Sequence, residues 1–144
     1  VLRPSRLGLA FRGARPLRDS LRLVDASRSR VDTTWSQPWG EVARVRDRHH
    51  ELRVVVAETG APGRRIAVAF RAFDDGIAFR YELPEQPALR DFELMDELTE
   101  FAMADDPRAW WISATKPMPD RQEQLYSSGP LSRVDTVHTP LTME

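Results

Sequence analysis

No cysteine occurs among the 144 residues, which excludes disulfides, thiolate zinc sites and cysteine nucleophiles together. That absence leaves the compartment open. Apolar runs are only a few residues long, Val54-Val55-Val56-Ala57 among them, so no stretch can cross a bilayer as a helix. Neither sign of charge is in excess: 21 basic residues stand against 22 acidic ones, for a net charge of −1. A chain with no basic surplus has little with which to neutralise a phosphate backbone, so a nucleic-acid partner is not expected. The seven glycines are scattered, and none forms a phosphate-cradling loop. No serine sits in a Gly-x-Ser-x-Gly elbow. Internal repeats and low-complexity tracts are also missing. No signal peptide is visible, yet the first residue is Val1 rather than Met and the sequence there already has mid-domain character, so an upstream segment is expected.

What is present is an ordinary globular composition, 41% apolar and 30% charged, at a length that suits one domain. The clearest signal is alternation of period two. Leu52, Val54 and Val56 share one face of 51–58; Ile66, Val68 and Phe70 do so in 64–71; Ile77, Phe79 and Tyr81 do so in 77–82. These are strands with one buried face, the habit of antiparallel sheets. Gly60-Ala61-Pro62-Gly63 and Asp74-Asp75-Gly76 supply the turns between them. A three-stranded meander follows. Weaker strands are expected at 6–12 and 20–25, and a structured loop or irregular edge strand at 32–41, with Trp35, Pro38, Trp39 and Gly40. In 88–102, Leu89, Phe92, Met95, Leu98 and Phe101 recur every three residues, which is helical spacing, whereas Phe92 and Leu94 would share the inward side of a strand. Residues 109–112 are a short apolar stretch, 116–120 (KPMPD) must be loop, and 139–144 starts a strand that ends abruptly.

Candidate chemistry is sparse. Arginines cluster early and carboxylates dominate from Glu82 to Asp106, which reads as solvated charge at two ends of a sandwich. His49 and His50 are adjacent and would point to opposite faces of a strand, so they cannot share a metal. His138 completes the histidines. Glycosidases use paired carboxylates, and Asp74/Asp75, Asp96/Glu97 and Glu41/Glu51 are the pairs available. A turn accounts for the first pair and a solvated face for the second. Trp35, Trp39, Trp110 and Trp111 could stack on sugars or fill a core. Glu123 is a hard oxygen ligand beside a proline-rich loop, but one carboxylate is far short of the 6–8 oxygens calcium takes.

Taken in order, WSQPWGE (35–41), HEL (50–52), FRAFDDGIAFRYELP (70–84), LTEF (98–101), AWWI (109–112) and TPLTM (139–143) resemble the N-terminal domain of glycoside hydrolase family 97, and the likeness covers nearly the whole chain. The family includes SusB-like α-glucosidases and α-galactosidases. The resemblance implies an all-β fold, an antiparallel β-sandwich of the mutarotase-like super-sandwich kind, incomplete at both ends. It turns 92–101 toward strand. It implies that residues 1–144 are part of one N-terminal domain, with a catalytic (β/α)8 barrel downstream carrying the catalytic residues, so none is expected here. It further implies a calcium ion, with 120–126 (DRQEQLY) matching the stretch that lends one ligand, and Glu123 as the matching residue. The whole enzyme would hydrolyse α-linked oligosaccharides, its substrate reached through the barrel, in the periplasm or outside the cell. Neither nucleic acid nor membrane is an expected partner. The alternative is a free-standing carbohydrate-binding or interaction module using the four tryptophans.

Overall fold

The computed structural model describes residues 2–114 and 124–144. The chain divides into two compact units, Arg6–Thr99, and Val1–Ser5 together with Glu100–Glu144.

The larger unit holds seven strands: β1 (Leu9–Phe11), β2 (Ala14–Leu17), β3 (Leu21–Ser36), β4 (Arg44–Glu58), β5 (Arg65–Ala72), β6 (Ile77–Glu82) and β7 (Leu94–Glu97). They form two antiparallel sheets, β2-β1-β7 and β3-β4-β5-β6. The expected meander is β4-β5-β6, and its turns fall where Gly60–Gly63 and Asp74–Gly76 place them. Leu9, Phe11 and Leu17 of the small sheet pack on Ile66 of β5 and on Leu89, with Leu21, Val56, Tyr81 and Leu83 around them. Two sheets closing on one apolar layer make this unit a sandwich. At about 25 cal/mol per Å² of apolar surface, each fully buried leucine or phenylalanine contributes about 2 kcal/mol.

Hydrogen bonds join the sheets as well. Gly8 N–H donates to the Tyr81 hydroxyl at 3.0 Å, Tyr81 lies 2.8 Å from Thr99 Oγ1, and Thr99 donates to Glu97 at 2.6 Å. The backbone at Gly8 is crowded: a Cβ there would lie 2.7 Å from Arg18 Cβ and 2.8 Å from Leu17 O.

Three segments refine or depart from the sequence reading. Residues 32–36 take the edge-strand alternative, as the end of the 16-residue β3 with every position from Asp32 to Ser36 paired to β4, while 37–41 is loop. Residues 88–102 form no α-helix: a 3-10 turn at Pro87–Leu89 leads to β7, and the three-residue spacing marks irregular chain rather than a helical face. β5 is buried on both sides, with Ala67 and Ala69 as hidden as Ile66. The roof over those alanines is ionic. Arg53 of β4 donates to Glu82 of β6 at 2.7 Å, across β5, where the register sets Ala69 beside Arg53 and Ala67 beside Glu82. Strands two apart are separated by about 10 Å, and only a small residue between them lets that pair close.

The smaller unit contains β8 (Arg108–Trp111), β9 (Ser127–Pro130) and β10 (Thr142–Met143), ordered β10-β8-β9. Leu2 bridges to Met103, and Arg3 donates to Ala102 O at 2.7 Å and Ala104 O at 2.6 Å. Asp106 accepts from Ser132 N–H at 2.7 Å and its hydroxyl at 2.8 Å. Among the described residues, Ala109 is the one buried hydrophobic side chain in this unit.

Candidate functional site

β3 and β4 are joined over a ladder running from Leu21–Glu58 to Ser36–Arg44, but β5 flanks β4 only from His50 to Ala57. Beyond His50 the hairpin continues as a two-stranded ribbon about 20 Å long at 3.3 Å per residue. Gln37 closes its loop, donating N–H to Ala43 O at 3.1 Å and Nε2 to Val42 O at 2.8 Å. Gly40 takes φ 93°, the left-handed conformation the turn needs. Trp39, at 77% exposure, and Val42 stand out from the loop, with Trp35 half-exposed on the strand behind them.

The ribbon has two unlike faces. One carries Trp35 opposite Val45, Thr33 opposite Asp47 and Val31 opposite His49; the other carries Arg46, Arg48, Arg30 and Arg28 around Asp32. Arg46 grips Asp32 at 2.8 and 2.7 Å, which holds that carboxyl below its ordinary value. Arg48 pairs with Asp74 of the β5–β6 turn.

The histidines separate as strand geometry requires. His49 is buried and His50 exposed. Asp47 Oδ1 lies 2.5 Å from His49 Nδ1, Phe73 packs 5.0 Å from its ring, and its Nε2 is buried with no hydrogen-bond partner among the described residues. His138 donates its backbone N–H to Ile112 O in the smaller unit.

No carboxylate pair forms a catalytic arrangement. Asp74 is engaged by Arg48 in its turn, Glu51 by Arg71 at 2.8 Å, and Asp96 and Glu97 lie on exposed β7. A glycosidase acid needs its pKa raised. Every described carboxyl group that departs clearly from its ordinary value moves down instead: Asp19, Asp32, Glu58, Glu82 and Asp106. Hydrogen bonds to the charged form lead in each, from Ser20, Arg46, Arg64, Arg53 and the Ser132 backbone respectively. Among the described residues, no three His, Asp or Glu side chains converge to hold a metal. Glu123 lies outside the described residues.

The tryptophans fall into two groups. Trp35 and Trp39 belong to the hairpin; Trp110 and Trp111 are consecutive on β8, half-buried, and face opposite ways. Arg108 lies over Trp110 at 5.4 Å.

One buried polar site was not legible in sequence. Arg64, 3% exposed, donates to Glu58 through Nε at 2.9 Å and Nη2 at 2.6 Å, and to Arg15 O at 2.6 Å. The guanidinium carbon sits 5.7 Å from the Phe11 ring centre. Both residues flank a hairpin turn, where charge normally signals solvent, so composition hid the pair.

The described residues form an all-β domain of antiparallel sheets. The chain belongs to the glycosyl-hydrolase 97 N-terminal family, whose model matches residues 1–144. Its architecture is similar to that of a glycoside hydrolase family 97 enzyme from Pseudoalteromonas sp. strain K8, solved with panose and with acarbose. The TM-score is 0.92 at 38% identity in both, covering 100% of this chain and 22% of that one. A β-arabinopyranosidase is similar at TM-score 0.71 and 26% identity, over 82% of this chain and 18% of that chain. The chain thus spans about a fifth of the length of the enzymes it resembles.

Proposed function

We propose that this chain is the non-catalytic N-terminal portion of an exported, calcium-dependent α-glycosidase, packing on a catalytic barrel and lending Glu123 to the calcium ion. Family membership along the whole of residues 1–144, together with the 22% share of solved family enzymes, carries this reading. Panose and acarbose, bound by the Pseudoalteromonas enzyme, support oligosaccharides as the substrate class. The described residues contain no cluster able to cage calcium. Calcium takes about 6–8 oxygen donors, so in this reading Glu123 is one donor among several. When bound, calcium supplies a Lewis acid that orients substrate and stabilises developing charge. This chain's own task is to hold one ligand and to cover the catalytic domain.

The test uses the complete enzyme and nitrophenyl α-glucoside and α-galactoside. Glu123→Ala is expected to weaken calcium affinity and hydrolysis together, each by about tenfold or more, the range seen when a metal's supporting groups are removed. Wild-type calcium affinity and activity in that variant would refute the assignment. A free-standing carbohydrate-binding module would rest on Trp35 and Trp39, since Trp110 and Trp111 cannot form one platform with each other. Glycan binding by the isolated chain, abolished by Trp39→Ala, would favour that reading.

A further inference from the structure

β3 ends the four-stranded sheet, so one of its edges has no strand beside it among the described residues. One hydrogen bond fixes which groups line that edge. Gln37 donates its N–H to Ala43 O at 3.1 Å, and the register from Asp25 to Ser36 runs without a shift. Antiparallel strands alternate between residues that exchange both backbone bonds and residues that exchange neither. The odd-numbered residues of β3 from Asp25 to Trp35 therefore bond to β4. The N–H and C=O groups of Ala26, Arg28, Arg30, Asp32, Thr34 and Ser36 point the other way.

An edge this long templates pairing unless it is guarded. β3 contains no proline and no lysine, and its single register shift, at Leu23–Asp25, lies before the run begins. The remaining guards are charges, and Asp32 is already committed to Arg46. That leaves Arg28 and Arg30, side by side on one face, with Ser29, Val31 and Thr33 on the other. A second copy pairing edge to edge would set Arg28 against Arg30, or Arg30 against Arg30, in the central registers, and like charges opposite one another destabilise a sheet.

We propose that this edge is the docking site of an extended strand from the same polypeptide, outside residues 1–144. The strand places carboxylates beside Arg28 and Arg30 and β-branched or aromatic side chains beside Val31 and Thr33. The proposal rests on the reading that the chain is one part of a longer family 97 hydrolase, whose solved example extends well beyond the 22% matched here. The added strand turns four strands into five and gives the ribbon the third strand that a bare hairpin needs for stability.

Site-resolved amide hydrogen exchange on the complete polypeptide tests it. The amides of Arg28, Arg30 and Asp32 are expected to exchange as slowly as their neighbours Ser27, Ser29 and Val31, at least about 100-fold below unstructured rates. Alternation, with odd residues protected and even ones exchanging freely, overturns the proposal. So does protection that is lost on dilution together with a dimer, which assigns the edge to a second copy. Sugar release from the two nitrophenyl α-glycosides tests the family reading separately. An active polypeptide with a free edge sinks this proposal alone, and an inactive one with a protected edge sinks that reading alone.

Discussion

Tyr81 shows how much one hydroxyl can organise. Its ring lies against the core, and its oxygen accepts from the buried Gly8 N–H while contacting Thr99, whose own hydroxyl donates a hydrogen bond to Glu97. Donors and acceptors run in one direction, so each bond polarises the next. Tyr81→Phe keeps the ring and removes the oxygen, leaving Gly8 N–H buried without an acceptor. The expected cost is about 1–3 kcal/mol, measured by urea unfolding of wild type and variant. The inward ring was legible from the alternation in 77–82. Its hydrogen-bond partners were not, because Gly8 is 73 residues away.

At the level of elements, period-two patterning located β4, β5 and β6 well, although of the residues it pointed inward Ile66 and Val68 are buried, Leu52, Val54, Val56, Phe70, Phe79 and Tyr81 are half-buried, and Ile77 is exposed. It understated β5, where Ala67 and Ala69 looked solvent-facing and are instead roofed by Arg53 and Glu82. Alanine carries no signal of what crosses above it. β2 and β9 escaped notice because ARPL and SSGP each carry proline and no alternation. The helical spacing in 88–102 misled for the opposite reason: three-residue recurrence also arises where a turn, an extended link and a short strand follow one another. Of the candidate site, the opposed faces of His49 and His50 were legible, whereas the Glu58–Arg64 pair was not. That pair ties the end of β4 to the start of β5, and through Arg15 O to β2. Hydrogen bonds from Arg64 hold the Glu58 carboxyl below its ordinary 4.5. A depressed carboxyl contributes stability that is complete above its unfolded pKa and lost as pH falls through the folded one. Glu58→Gln is therefore expected to cost about 3 kcal/mol near neutral pH, because it leaves a buried guanidinium uncompensated. The difference from wild type should shrink progressively below pH 4.5. Urea midpoints at pH 7 and in acid would check this; a constant difference would contradict it.

For the whole molecule, apolar burial is very unevenly divided. The larger unit owns the leucine–phenylalanine–isoleucine core, while Ala109 is the one buried hydrophobic described in the smaller. Among its described residues the smaller unit hides little apolar surface with which to offset its conformational entropy. A peptide comprising residues 100–144 is therefore expected to be unfolded alone, with no strand signal in circular dichroism and no cooperative melting; a sigmoidal thermal transition would contradict this.

The bridge from Leu2 to Met103, with Arg3 reaching Ala104 across 101 positions, also bears on how the chain is born. Arg6–Thr99 is continuous and can fold as soon as it leaves the ribosome. Leu2 and Arg3 emerge before it, yet their partners are made after it. At about 5–20 residues per second they wait about 5–20 s for those partners, so residues made before the larger unit find their place only after it is complete.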